Sequence, residues 1–492
     1  MTLEEVKNRI VKLEDKYSVD EWEINGVKVW PLLRIELFIR LTDKALGSEG
    51  VKTKSVSYIF FLFKSLFKWI WAISWDAKKN AKIMKSDVLF ISDGVSFENM
   101  GKFWYDKFCD PWIEYYKNNK VSTLLLTLEN RYYAPRYSSS LFIQFKLNMH
   151  VIAQIVKSKI FKPTIRNMRL EGFDKFISDE ILLDRGIHIS QEWLYKKMDK
   201  VEMYKLFFKK MLNVVRPKLV FIVSYYYDGT MALISLCKEM GIKTVDIQHG
   251  VQNEYHLAYG SWSKVPADGY DLLPDFFNVW SPSEYTNISN WSKAIKMHEP
   301  VISKNIFLQK WKDPNDKTIL YFDEIIKKKI NGEKKTILYS KSPQTDSGKV
   351  RGNLYDVIAQ SQMDYNWLIR LHPSMREQKK SVIKELNEHG IYNFEIDFCT
   401  DFPLFSILRF TDLHITEQSS VVIEAAEFNI FSIVTSHYGN ATYKIQIQEG
   451  KAKFVSSIDE ILDTIKIKLS ERRERNEQIE KIDFSIYNNL IK

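Results

Sequence analysis

Cysteine is scarce in this sequence: Cys109, Cys237 and Cys399 are the only three in 492 residues. None belongs to a CxxC pair or sits beside a His cluster, so neither a disulfide framework nor a structural zinc site is supported. A reducing cytoplasm is the expected location. Export is not expected either, because the opening MTLEEVKNRIVKLEDKYSVDEW (1–22) is acidic and amphipathic and has neither the basic stretch nor the apolar core of a secretory signal. Long unbroken apolar runs are missing too. The most lipid-like stretch, SVSYIFFLFKSLFKWIWAISW (55–75), is interrupted by Lys64 and Lys68. That counts against a spanning helix and suits, equally, a helix lying on the inner face of the membrane or one packed on its own domain. No internal repeat or low-complexity tract is present, which excludes solenoids, propellers and disordered scaffolds.

What is present is an ordinary globular composition, 45% hydrophobic and 27% charged, in a chain longer than one core usually organises, so two domains are expected. A net charge of +9 and a pI near 9.0 favour anionic partners: nucleotide phosphates, nucleic acid or an anionic membrane face. Lys and Arg are spread along the chain without an RNA-recognition or zinc-finger pattern, which counts against nucleic acid despite 13 Trp, 25 Tyr and 30 Phe.

Short β-branched runs alternate with helical stretches. DVLFIS (87–92) reads as a buried strand followed by the loop Asp93-Gly94, and Ser122–Leu126 as another. PKLVFIVS (217–224), a helix from Thr230 and KTVDIQ (243–248) form a βαβ unit, which requires a parallel sheet. A second set begins near Thr336 with TILYS, a helix from about Asn353 and WLIRL ending at His372-Pro373; DLHIT, a helix from Ser419 and FSIVTS follow. Two Rossmann-like α/β domains with parallel sheets facing a cleft are therefore expected, over 1–290 and 291–455, with a helical tail at 456–492. Ligands of such sheets lie beyond the carboxyl ends of the strands.

The unusual polar residues fall at those ends. Gln248-His249-Gly250 marks a chain leaving a sheet, which places His249 for proton transfer and Gln248, Gly250 and Asp93 on the acceptor side. Asp228 either caps the helix that follows or serves as a base beside His249. Pro373 holds His372 in an extended backbone, where the imidazole can donate to a phosphate. Thr416 leads into Ser419 and Ser420 at a helix start suited to phosphate, and Glu424, just over one turn on, is in reach of ribose hydroxyls. No DxD motif stands at a strand end. Charge on a departing nucleotide then falls to the helix start, His372, Arg370 and Lys341, with no metal or other cofactor.

Taken together, DGT…IQHG (228–250), RLHP (370–373) and TEQSSVVIEAA (416–426) resemble the signature positions of bacterial capsule and teichoic-acid transferases: polysialyltransferases, capsule Kdo transferases and CDP-glycerol glycerophosphotransferases. WEINGVKVWPLLR (22–34) and LFISDGVSF (89–97) look like openings of capsule or O-antigen proteins. The resemblance implies the GT-B fold and transfer of a sugar from a nucleotide-linked donor, with CMP- or UDP-linked donors favoured, to a glycan or lipid-linked glycan; the lack of a DxD motif leads to a metal-independent reaction, and a single base to an inverting one. It implies Asp228 or His249 as base, and His372, Ser419 and Ser420 as holders of the nucleotide. Two departures stand out. Tyr227 precedes Asp228 where the sialyltransferases carry a second acid, and the continuation Val251-Gln252-Asn253 differs from the glycerophosphotransferase motif, which favours sugar over glycerophosphate. The rival readings are a nucleotide-sugar epimerase, which would need further acids around the sugar, and a non-catalytic nucleic-acid or polysaccharide binder.

Overall fold

The computed structural model describes residues 2–45, 83–94, 96–128, 134–160, 167–343, 348–471, 480 and 482–491. The aromatic stretch 55–75 lies outside the described residues. Among those described, no helix is long and apolar enough to cross a membrane.

Twelve strands build two parallel sheets. The first contains β1 (Val88–Ser92), β2 (Thr123–Thr127), β3 (Ser140–Phe142), β4 (Leu219–Val223), β5 (Lys243–Ile247), β6 (Phe276–Val279) and β7 (Glu299–Ile302), in the order β7-β6-β5-β4-β1-β2-β3. VLFIS in β1 and LVFIV in β4 are buried at every position, as strands covered by helices on both faces must be. The chain runs outward from β1 to β3 and then returns to β4 on the other side of β1, so the order reverses between β1 and β4. A crevice opens at such a switch point beyond the strands' carboxyl ends. Here those ends are Asp93 and Ser224.

The second sheet contains β8 (Thr336–Lys341), β9 (Asn366–Leu371), β10 (Leu413–Thr416), β11 (Phe431–Val434) and β12 (Ala452–Phe454), in the order β9-β8-β10-β11-β12. Its switch point falls between β8 and β10, where Thr416 Oγ donates to the Ser340 carbonyl at 2.7 Å. The fold is thus α/β with two Rossmann-like domains.

The sheets do not divide where the sequence suggests. β7 belongs to the first sheet although it lies past residue 290; it is an edge strand with Pro300 inside it and only Val301 buried, so it carries almost no apolar pattern. The tail is also shared. Ile461 and Ile465 of the helix Ile458–Ser470 pack into the second domain's core, whereas Tyr487 of the helix Ser485–Ile491 returns to the first, accepting from Asn278 at 2.9 Å and packing edge-on to Trp112.

A hairpin of Phe97–Asn99 and Trp104–Asp106 leaves the first domain just after β1. Met100 and Tyr105 enter an apolar cluster of the second domain, where the Tyr105 ring stacks on Phe307 at 5.3 Å. Burying these side chains stabilises the union by about 1.5–3 kcal/mol each and carries the hairpin's polar residues across to the facing domain.

Candidate active site

The two switch points face one another across a cavity of about 260 Å³. Asp93, Ser96, Glu98, Lys107, Phe108 and His249 come to it from the first domain; Ser340, Lys341, Arg370, His372, Pro373, Ser419, Ser420 and Glu424 come from the second.

His249 follows β5. Its Nδ1 lies 3.3 Å from the Ile247 carbonyl, which can only accept, so the ring proton sits there and Nε2 keeps its lone pair. Nε2 lies 3.0 Å from Ser224 Oγ and 3.1 Å from Tyr226 Oη. Burial holds the imidazole below its usual pKa, partly opposed by the charge of Asp93, with Lys107 lowering it further. The result is a neutral histidine whose unprotonated Nε2 faces two hydroxyls, and an unprotonated nitrogen is what a general base requires. Asp93 accepts from Ser96 Oγ at 2.8 Å and lies 3.4 Å from Ser224 Oγ. Ser224 itself adopts φ +62°, in the left-handed region that costs a non-glycine residue about 1 kcal/mol.

On the opposite wall, His372 Nδ1 accepts from the Ser374 backbone N–H at 3.3 Å. The ring proton is therefore on Nε2, making His372 a donor on an exposed ring. Partial loss of solvent on the cleft side, together with Lys107 and Arg370, lowers its pKa. Ser419 and Ser420 are half-buried beside it. The helix they precede, Val421–Glu427, has only seven residues, so the hydroxyls are the main feature they present. Lys341 donates to Tyr355 Oη at 2.9 Å. Glu424 is buried with one carboxylate oxygen lacking a hydrogen-bond partner among the described residues, and burial raises its pKa to about 7.

Five expected residues are used differently. Asp228 is absent from the cavity: its carboxylate pairs with Lys197 at 3.1 Å and Lys200 at 2.9 Å and lines a neighbouring pocket. Burial pushes its pKa up, but the two lysines outweigh that, and it ends below the usual value. Three tyrosines separate it from the end of β4, and its helix turns it toward the helix Gln191–Val215. Gln248 is fully buried, bonded to the Gly250 carbonyl at 2.9 Å and the Trp280 N–H at 2.7 Å, so neither Gln248 nor Gly250 lines the cavity. Thr416 is fully buried, accepting from the Ser419 N–H at 3.0 Å, and shapes the turn without facing a ligand. Arg370 does line the cavity, but Nη1 is committed to the Cys399 and Phe402 carbonyls at 2.6 and 2.7 Å, with Nη2 3.8 Å from Glu98.

Glu98 and Lys107 escaped sequence reasoning. Lys107 lies 3.8 Å from Glu98, and its charge bears on His249, His372 and Glu424 alike, which puts a cation at the centre of the cleft. The one signal in the sequence is their place directly after β1, at the switch point. Among the described residues no His, Cys, Asp and Glu are grouped as a metal site.

No protein-family model matches the chain, and no curated protein matches it. Among solved structures it is similar to the UDP-GlcNAc 2-epimerase of Neisseria meningitidis bound to UDP-GlcNAc, with 13% identity, coverage of 78% of this chain and 91% of that one, and a TM-score of 0.47. The Methanocaldococcus jannaschii UDP-GlcNAc 2-epimerase in complex with UDP-GlcNAc and UDP is 10% identical, with coverage of 81% and 96% and a TM-score of 0.47. The wall teichoic acid polymerase TagF is 11% identical, with coverage of 83% and 88% and a TM-score of 0.42. At such identities, what the chain does has to be read from its own cleft.

Proposed function

We propose that the chain is a glycosyltransferase that moves a sugar from a CMP- or UDP-linked donor to a surface-polysaccharide acceptor. The observation that carries this reading is the meeting of a proton-accepting His249 on one wall with the donor His372, two serine hydroxyls and Lys341 on the other. The second wall suits the nucleotide: His372 Nε2–H and the hydroxyls of Ser419 and Ser420 bond phosphate oxygens, Lys341 and Lys107 offset their charge, and Glu424 accepts from the ribose.

His249 Nε2 takes the acceptor hydroxyl proton as the acceptor oxygen bonds to the anomeric carbon. The bond from that carbon to the phosphate oxygen breaks, and the nucleotide leaves with the electron pair. One displacement inverts the anomeric centre. Asp93 stabilises the imidazolium formed. Lys107 opposes protonation of His249, and a bound phosphate would cancel that opposition, so the donor raises the basicity of His249 as it binds.

The test is a thermal-shift panel of CMP, CDP, UDP and GDP without added magnesium. A cytidine or uridine nucleotide should raise the midpoint and His372→Ala should abolish the rise. No shift with any nucleotide would end this reading. A second reading, nucleotide-sugar epimerisation, is favoured by Asp93 and Glu98 standing on the same wall as His249. Product analysis separates the two: transfer yields free nucleotide and a glycoside, epimerisation a changed sugar.

A further inference from the structure

Beside the cleft, the first domain contains a second cavity of about 420 Å³, between the helix Trp30–Ala45, the helix Gln191–Val215 and the carboxyl end of β4. The two cavities share Asp93 in their walls. Tyr226 stands between them, lining the second cavity while its hydroxyl touches His249 Nε2 at 3.1 Å. A molecule in the second cavity thus meets Asp93 and Tyr226, the latter in contact with the proton acceptor of the first. A transferase needs a second place for its acceptor beside the proton acceptor.

The walls also say what fits. Tyr204, Tyr226 and Tyr227 contribute aromatic faces and Leu32 and Ile35 an aliphatic floor. The two cations are already matched: Lys200 lies 2.9 Å from Asp228, and Lys197 lies 3.1 Å from Asp228 and 3.6 Å from Glu36. A phosphate or carboxylate entering here would have to break those pairs and would still face Glu36, Asp93 and Asp228. An uncharged pyranose breaks none of them. Its apolar face lies on a tyrosine while its hydroxyls bond to the carboxylates.

We infer that this cavity is the acceptor subsite and that it takes an uncharged sugar at the growing end of a glycan, with the reacting hydroxyl directed past Asp93 toward His249. This rests on the transferase reading.

Saturation-transfer NMR on the full chain tests it, using methyl glycosides of neutral hexoses and N-acetylhexosamines against sialic acid and hexose 6-phosphate. Neutral glycosides should bind in preference. Two exposed rim positions serve as probes, since Tyr227 is 56% and Ile39 48% exposed and changes there leave the core intact. Tyr227→Ala should weaken glycoside binding about tenfold, and Ile39→Trp, which fills the mouth, should remove it. Preference for the charged sugars, absence of glycoside binding, or binding untouched by both variants would each overturn the inference. The nucleotide-dependent thermal shift of the unaltered protein reads the cleft separately, and its absence would sink the transferase reading whatever the glycosides do.

Discussion

Ser224 Oγ lies 3.0 Å from His249 Nε2, and the serine that makes this contact has a left-handed backbone, φ +62°. Strain of this kind persists only where the surroundings enforce it, and here it sets a hydroxyl between the imidazole and Asp93.

The first prediction separates the side chain's role from the backbone's. Ser224→Ala and Ser224→Gly both lose the hydroxyl and should both slow turnover while nucleotide shifts persist. Only glycine relieves the positive φ, so Ser224→Gly should be the more stable of the two by about 1 kcal/mol in thermal denaturation. His249→Ala should lower turnover by about 100-fold or more. Full activity in His249→Ala would remove the base assignment.

Lys107 bears on the pH profile. It favours the neutral form of His249, so Lys107→Ala lets that histidine hold its proton to higher pH. The acid limb of kcat/KM should move upward in pH, and nucleotide affinity should fall. A limb that stays in place or moves downward would contradict the position given to Lys107.

Asp228 is predicted to stabilise the fold and to leave the proton transfer to His249. Asp228→Asn leaves Lys197 and Lys200 without their carboxylate at a partly exposed site, a loss of roughly 1 kcal/mol, and it weakens the acceptor pocket wall. The acceptor KM should rise while kcat at saturating acceptor stays near its original value. A collapse of kcat with KM unchanged would return Asp228 to the chemistry.

Acid sensitivity should come from buried histidines. His298 accepts from the Tyr270 N–H at 3.0 Å and lies 2.7 Å from the Pro274 carbonyl, and burial lowers its pKa to about 4. Above the unfolded value of 6.5, folded and unfolded states are both neutral, so the stability is fully present. As pH falls from there toward 4, the unfolded chain takes a proton that the folded one refuses, and roughly 3 kcal/mol is lost. Denaturant midpoints measured from pH 7 to pH 4 should fall, and His298→Gln should flatten the slope.

Much of the scaffold was legible because its signals are local. VLFIS, LVFIV and TILYS are strand cores by composition, and parallel sheets display the residues at their carboxyl ends, so His249, His372, Ser419, Ser420, Glu424, Lys341 and Asp93 could be picked from the chain as cleft candidates. What local pattern does not carry is the direction a side chain takes after the strand ends. Asp228 stands at the expected sheet edge, yet two lysines on a distant helix turn it away; Gln248 and Thr416 sit at strand ends but are consumed by the backbone they brace.

By itself the sequence determined the two parallel sheets and the polar residues at their ends, since apolar period and chain breaks are properties of neighbouring residues. Tertiary structure alone decided that Glu98 and Lys107 stand in the cleft, that β7 joins the first sheet and that a second cavity adjoins His249. Each depends on contacts between segments far apart in the chain: the hairpin docks because Met100 and Tyr105 find an apolar cluster of the other domain, and no local period records that partner.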